Sequence, residues 1–432
     1  MIAAVLFISF AVLLLIGTPI AVCLGVSSVI SMLIQGAGRP LDTVMSSLPQ
    51  LFSSSTSKFV LLAIPFFILA GNLMDTGGVS KRLVNLARSL VGWLPGGLAV
   101  VSFLACAFFG AISGSAPATV AAIGSIMIPS MKEDGYPMPF ILATIASGGW
   151  LGVIVPPSIP MVLYGISVGS VAITDVFLGG FIPGFLLAGG MSVYAVLWGR
   201  KHMRHATRKF SIHEVGRSFV DALWALGMPI IILGGIYLGI FTPTEAAVVA
   251  VAYGLLVSTL IYHQLSLKGL MQIIRRTVIT TNICMFIVLS STVFAAIMTR
   301  EQIPVIVGNA IMSVASNRLM FYLLVTLLLL FVGTFMETIP AIMILAPILT
   351  PMLGAYGINP VSFGVIMVIT LGIGMLTPPV GINLYTAVSL CGEKVERVIN
   401  RHLFAYIGCA LVVLALLIGF EGIIMFLPNL LR

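Results

Sequence analysis

Charge is what this sequence has least of: Asp, Glu, Lys and Arg make up 8% of its 432 residues, against about a quarter in an ordinary soluble domain. Long polar stretches are missing as well, so no segment can fold as a separate soluble domain. The five histidines (His202, His205, His213, His263, His402) fall in loops or at the ends of apolar runs. No HExxH, GxSxG or P-loop pattern occurs, which excludes zinc-protease, serine-hydrolase and ATP-hydrolysing chemistry. The five cysteines are odd in number, four of them lie within apolar runs, and none forms a CxxC pair. They read as small apolar residues rather than as a disulfide or metal framework. A basic leader and a small-residue cleavage site are also lacking before the first apolar run, so that run is expected to stay as a membrane helix.

What is there is apolar. Hydrophobic residues make up 59% of the chain, and runs long enough to cross about 30 Å of hydrocarbon recur from end to end. The expected fold is an all-α polytopic membrane protein. The formal net charge of +8 sits in short loops between spans, a pattern that reports orientation in a membrane and no nucleic-acid partner.

The chain repeats itself. Gly17-Thr18-Pro19-Ile20-Ala21 is answered by Phe241-Thr242-Pro243-Thr244-Glu245-Ala246, Phe108-Phe109-Gly110 by Phe331-Val332-Gly333, and Pro156-Pro157 by Pro378-Pro379. Pro19 to Gly110 is 91 residues and Pro243 to Gly333 is 90; Gly110 to Pro156 is 46 and Gly333 to Pro378 is 45. Landmarks in the same order and register indicate two structural repeats, 1–199 and 221–432, joined by a linker at 200–220.

Orientation follows from the basic loop 200–217, which the positive-inside rule assigns to the cytoplasm. Spans near 222–240, 244–262 and 279–298 follow it. Spans near 176–199, 138–168 and 59–76, with the pair 1–16 and 20–35, precede it and put the N-terminus in the periplasm. On this topology 16 of the 21 Lys and Arg are cytoplasmic, and the halves are inverted. Two apolar stretches do not fit as simple spans: 98–131 is split at Ser113-Gly114-Ser115, and 319–353 is split around Glu337-Thr338-Ile339-Pro340. Both are expected to be re-entrant hairpins, each fed by an amphipathic surface helix at 81–93 or 304–316. Broken helices are expected at 138–168 and 360–390.

Water does not reach the bilayer interior, so uncoiled backbone persists there only where it lines a cavity or binds something polar. Proline removes an N–H and disrupts the preceding turn, so the carbonyls of Gly152, Val155, Gly374 and Thr377 are expected to lose their helical partners. Such carbonyls suit a sodium ion. A half-helix starting near Ser158 or Gly381 presents its N–H groups and positive dipole end, which suit a carboxylate. The combination points to a sodium-coupled anion carrier. The competing reading is that these glycines and prolines only kink helices and allow close packing. Glu337 and Glu245 are possible proton or cation sites, although Glu245 also suits a helix N-terminus beside Thr242 or Thr244. Asn383, like Asn72, either contacts a ligand or bonds a neighbouring helix.

Phe109-Gly110-Ala111-Ile112-Ser113-Gly114-Ser115 with Ala118-Thr119, the run 152–160, Gly234-Gly235-Ile236-Tyr237 leading into Phe241-Thr242-Pro243-Thr244-Glu245-Ala246-Ala247, and Thr377-Pro378-Pro379-Val380-Gly381 together resemble the large, DctM-type membrane subunit of tripartite ATP-independent periplasmic (TRAP) transporters. The resemblance covers essentially the whole chain. It implies an elevator importer of an organic acid in the bacterial inner membrane, driven by two sodium ions. The expected partners are a periplasmic substrate-binding protein and a small four-helix membrane subunit, the latter a separate chain because this sequence opens on the large subunit's first helix. By resemblance one sodium site uses Gly110, Ser113, Gly152, Val155 and Pro156, and the other Gly333, Gly374, Thr377 and Val380. Ser115, Pro157, Thr338 and Asn383 would line the substrate site. C4-dicarboxylates, sialic acid, keto acids and sugar acids all suit a site made chiefly of backbone. A stand-alone sodium- or proton-coupled carboxylate carrier is the alternative within transport. A membrane anchor of a redox complex is disfavoured by the lack of paired intramembrane histidines.

Overall fold

In the computed structural model every residue is described except Met1, Arg39, 204–209, Pro379 and Arg432. Arg204, Arg208 and Lys209 of the expected cytoplasmic loop, the second proline of the pair at 378–379, and two of the charges expected outside, Arg39 and Arg432, therefore lie outside the described residues. Every regular element among the described residues is a helix, with no strand. Among the described residues seven helices are long and apolar enough to cross a membrane, including Phe59–Thr76, Ile173–His202, Ile212–Tyr237 and Leu267–Arg300.

One series of elements occurs twice. A surface helix, Val79–Val91, leads into a hairpin with arms Gly97–Ser113 and Ala116–Glu133, and then into a helix broken between Met138–Gly149 and Ile159–Val168. Later Ile303–Val314 leads into arms Arg318–Gly333 and Thr338–Leu349, and then into Pro360–Gly374 and Ile382–Ser389. Arms of 17, 18, 16 and 12 residues are short against the roughly 20 residues of a full span.

Side-chain caps fix many of the helix starts. Ser158, Ser211, Ser266 and Asn317 each accept from an N–H in the first turn, and Thr242 with Glu245 forms a complete capping box. Glu245 is thus committed to a helix terminus. The caps also lengthen two helices beyond their apolar runs: they begin at Ile212 and Leu267 rather than near 222 and 279. Most of the described part of the expected linker is therefore helix.

The helices sort into two groups. Ile2–Leu15, Ile20–Gln35, Phe59–Thr76, Ile212–Tyr237, Pro243–Leu256 and Leu267–Arg300 pack on one another. The hairpins and broken helices form the second group, and Ile173–His202, Arg401–Gly419 and Gly422–Leu430 pack with them. The surface helix Val79–Val91 touches both groups. It is held to the first by Arg82, which pairs with Asp221 at 3.2 Å and lies 3.5 Å over the Tyr262 ring.

Candidate functional site: two hairpin tips against two broken helices

Glycine sets the geometry. A Cβ at Gly110 would fall 2.8 Å from the Gly152 Cα, and one at Gly333 would fall 2.9 Å from the Gly374 Cα. In each half the outbound arm of the hairpin therefore rests directly on the backbone of the broken helix, at a distance that a side chain would prevent. The tips then bond to the half-helices beyond the breaks. The Gly114 carbonyl accepts from the Ile159 N–H at 3.4 Å, and the Thr334 carbonyl accepts from the Gly381 N–H at 3.1 Å.

Around the first tip the hydroxyls close on one another. Ser113 Oγ and Thr119 Oγ1 are 2.9 Å apart, and Thr119 Oγ1 donates to the Ser115 carbonyl at 2.8 Å. Across the break, Ser158 Oγ donates to the Val153 carbonyl at 2.5 Å and accepts from the Met161 N–H. Gly110, Ser113, Ser115 and Gly152 are thus brought together, with Thr119 added. Residue order held a signal for Thr119, since it stands one turn after Ser115 and its hydroxyl can reach back to that carbonyl.

The bared backbone differs in one place from expectation. Among the described residues the carbonyls of Gly152, Val155 and Thr377 receive no N–H, whereas Gly374 accepts from the Thr377 N–H at 2.8 Å. The chain after Gly374 tightens into a turn, so the proline costs that carbonyl nothing. Thr377 Oγ1 donates to the Ile373 carbonyl. Pro156 is buried with its neighbours, while Val380 is 39% exposed on the turn beyond the second break.

Between the two groups of helices lies a cavity of about 390 Å³. Ser113, Ser115 and Thr338 line it, facing Asn72 and Asp75 on Phe59–Thr76 and Arg276 and Thr280 on Leu267–Arg300. Asn72 donates to Thr277 Oγ1 at 3.0 Å, so its role is the interhelix bond. Glu337 also lines the cavity; it makes no side-chain cap and joins none of the ion pairs. Pro157 and Asn383 are not in the lining. Asn383 is completely buried in the half-helix past the second break, and neither its Oδ1 nor its Nδ2 has a hydrogen-bond partner among the described residues. Asp75 and Arg276 escaped sequence reasoning because they stand at the ends of apolar runs, where a charge reads as a loop marker. Among the described residues no group of three or more His, Cys, Asp and Glu could hold a metal ion.

The same arrangement of helices occurs in solved transporters. The Alcanivorax borkumensis YdaH transporter superposes with a TM-score of 0.62 at 16% identity, covering 94% of this chain and 98% of its own. MtrF of Neisseria gonorrhoeae matches with the same score at 13% identity, covering 94% and 95%. Sequence carries the comparison further. The family model described as the DctM component of the tripartite ATP-independent periplasmic transporter matches residues 7–423. The isethionate TRAP transporter permease DctMQ of Oleidesulfovibrio alaskensis is 40% identical over 98% of this chain, which spans 66% of that relative's length. The C4-dicarboxylate TRAP large permease DctM of Rhodobacter capsulatus is 35% identical over 99% of both chains. The sialic acid TRAP large permease SiaM of Vibrio cholerae is 39% identical over 86% of this chain and 87% of its own. A family profile spanning nearly every helix, joined to relatives aligned along most of their length, makes this chain a member of the DctM family, a large permease subunit of a TRAP transporter and not an enzyme.

Proposed function

We propose that this permease imports a small organic anion across the bacterial inner membrane in symport with two sodium ions, receiving it from a periplasmic binding protein and working beside a small four-helix membrane subunit. The observation that carries the reading is the doubled contact of Gly110 on Gly152 and Gly333 on Gly374, with carbonyl oxygens at Gly152, Val155 and Thr377 left without N–H partners. Bare carbonyls and hydroxyls suit sodium, and the half-helix N-termini at Ile159 and Ile382 suit the anion. The first sodium site then uses Gly110, Ser113, Gly152, Val155 and Pro156, and the second Gly333, Gly374, Thr377 and Val380. Ser115 and Thr338 face the solute, and Pro157 and Asn383 support it from behind the breaks.

The named solutes of the relatives are isethionate, C4-dicarboxylates and sialic acid. One is a sulfonate and the others are carboxylates, so the shared requirement is an anionic head group. In this reading the hairpins, the broken helices and the long helices packed on them move as one body against the other group, in an elevator stroke. The two repeats have inverted topology, with the N-terminus periplasmic and the loop 200–217 cytoplasmic. A disulfide locking one group to the other that left transport intact would sink the moving-body part.

Ser113→Leu and Thr377→Leu test the ion sites. In proteoliposomes holding this chain and its small subunit, each is expected to abolish sodium-driven uptake while membrane insertion persists; full uptake in both variants overturns the assignment. Adding or omitting the soluble binding protein separates a receptor-dependent importer from a stand-alone carrier.

A further inference from the structure

Four helical segments that line the tip cavity continue past it and line a second cavity of about 330 Å³. Leu267–Arg300 gives Arg276 to Ile287 to the first and Val288 to Thr299 to the second. Ile159–Val168 gives Ile159 and Pro160, then Ile166 and Ser167; Thr338–Leu349 gives Thr338 and Ile339, then Met343 and Pro347. Along Phe59–Thr76, Leu61 lines the second cavity and Ile68, Asn72 and Asp75 the first. On the longest helix the two linings meet at Ile287 and Val288, and their centres are roughly three helical turns apart.

Between them lies an apolar cluster distinct from the main core, which includes Leu61, Ile64, Leu163, Ile287, Val288 and Met343. The four segments therefore form one track with a greasy barrier across its middle. The two cavities also differ in charge. Asp75, Glu337 and Arg276 leave the first with an acidic excess, whereas the second holds Lys58 and no acidic residue. Lys58 joins no ion pair among the described residues. The protons of Ser291, Thr292 and Thr299 are committed to the Ile287, Val288 and Ala295 carbonyls, and Ser55 bonds Thr292. That leaves the Lys58 ammonium and the Ser167 hydroxyl as donors for a guest.

We propose that the second cavity is an anion subsite on the transport track, in which Lys58 and Ser167 hold the carboxylate or sulfonate of the solute on the far side of the apolar barrier from the hairpin tips. This rests on the anion-import reading above. A lone ammonium beside a low-dielectric wall attracts an anion and repels a cation of the same size. The acidic tip cavity needs its cations before it can take the same anion, so the subsite holds the solute while sodium fills the tips.

The test uses the full chain with Cys23, Cys106, Cys284, Cys391 and Cys409 replaced by Ala and a single reporter, Ala296→Cys, in the lining of the second cavity. Thiol labelling by a sulfonate-bearing methanethiosulfonate is compared with labelling by its trimethylammonium counterpart, in detergent and without sodium. The anionic reagent is expected to react faster, relative to its rate on free thiol, by about ten-fold, and Lys58→Gln is expected to erase that preference. Succinate or N-acetylneuraminate at millimolar concentration is expected to slow the labelling, and Ser167→Ala to weaken that protection. Equal normalised rates for the two reagents, or a preference that survives Lys58→Gln, overturn the subsite. If Ala296→Cys does not fold, Ala295→Cys reports from the same wall and is read in the same way. Sodium-driven uptake by the unmodified chain is measured in parallel. Uptake without an anion preference refutes this subsite alone, and an anion preference without sodium-driven uptake refutes the symport reading alone.

Discussion

The two hairpin tips share a frame and differ in what they leave unsatisfied. The first turns in two residues, with Gly114 at φ +60°, and ties its hydroxyls into a closed set through Ser113, Thr119 and the Ser115 carbonyl. Ser158 then caps the half-helix beyond the break. The second tip takes four residues, 334–337, and ends on a carboxylate that caps nothing. Its half-helix starts on Gly381, with no side-chain cap, and buries Asn383 without a partner among the described residues. The repeat keeps the approach of backbone to backbone, while among the described residues Ser113, Thr119 and Ser158 find partners at the first tip and break, and Glu337 and Asn383 are left without a cap or hydrogen bond at the second. Buried polar groups without partners are costly, so the open half is where an arriving ion or solute has most to stabilise.

The shared frame gives the largest expected effect. Gly374→Val places a side chain against the Gly333 Cα, which lies 2.6 Å from a Cβ at that position. Overpacking of this kind costs about 1–3 kcal/mol, and here it also pries the tip from the break. The expected result is loss of sodium-driven uptake with a lowered thermal midpoint, matched by Gly110→Val in the first half. Gly354→Ala, which meets open space, should change neither. If one of the two valine variants transports normally, the halves do not share the frame.

Glu337 gives the next largest. Contacts to a charged group are worth about 1.5–3 kcal/mol, so Glu337→Gln is expected to lower kcat/KM for uptake by about ten-fold or more. Because the carboxylate caps no helix and joins no ion pair among the described residues, the thermal midpoint should not fall. A variant that loses stability but keeps its uptake would show that Glu337 belongs to the fold and not to the traffic through the cavity.

How far the sequence reaches is clear from particular residues. Gly-rich breaks followed by proline at matched spacing are legible because only small residues let backbone touch backbone, and few patterns hold register over such distances. The hairpin arms are legible because apolar runs too short to span must turn back. Helix lengths are less so: Ser211 and Ser266 start their helices well before the apolar runs begin, and hydropathy marks the apolar run rather than the helix. Asp75 and Arg276 line one cavity although about two hundred positions separate them, and a single sequence carries no sign of that proximity. The Gly374 carbonyl shows the converse error: proline after a helix suggests a bared oxygen, but a tight turn supplied a donor.

The smallest effect separates the two halves by sign. Thr119→Val removes the hydroxyl that ties Ser113 to the Ser115 carbonyl and leaves those groups short of a partner, which should lower stability by about 1 kcal/mol. Asn383→Leu removes an amide that is buried and unpaired among the described residues and puts a side chain of the same heavy-atom shape in its place, so stability without ligand should hold or rise by a similar amount. Thermal unfolding in detergent, without sodium or solute, reads both. If Asn383→Leu destabilises as much as Thr119→Val does, its amide is already satisfied in the free protein, and the second half is as closed as the first.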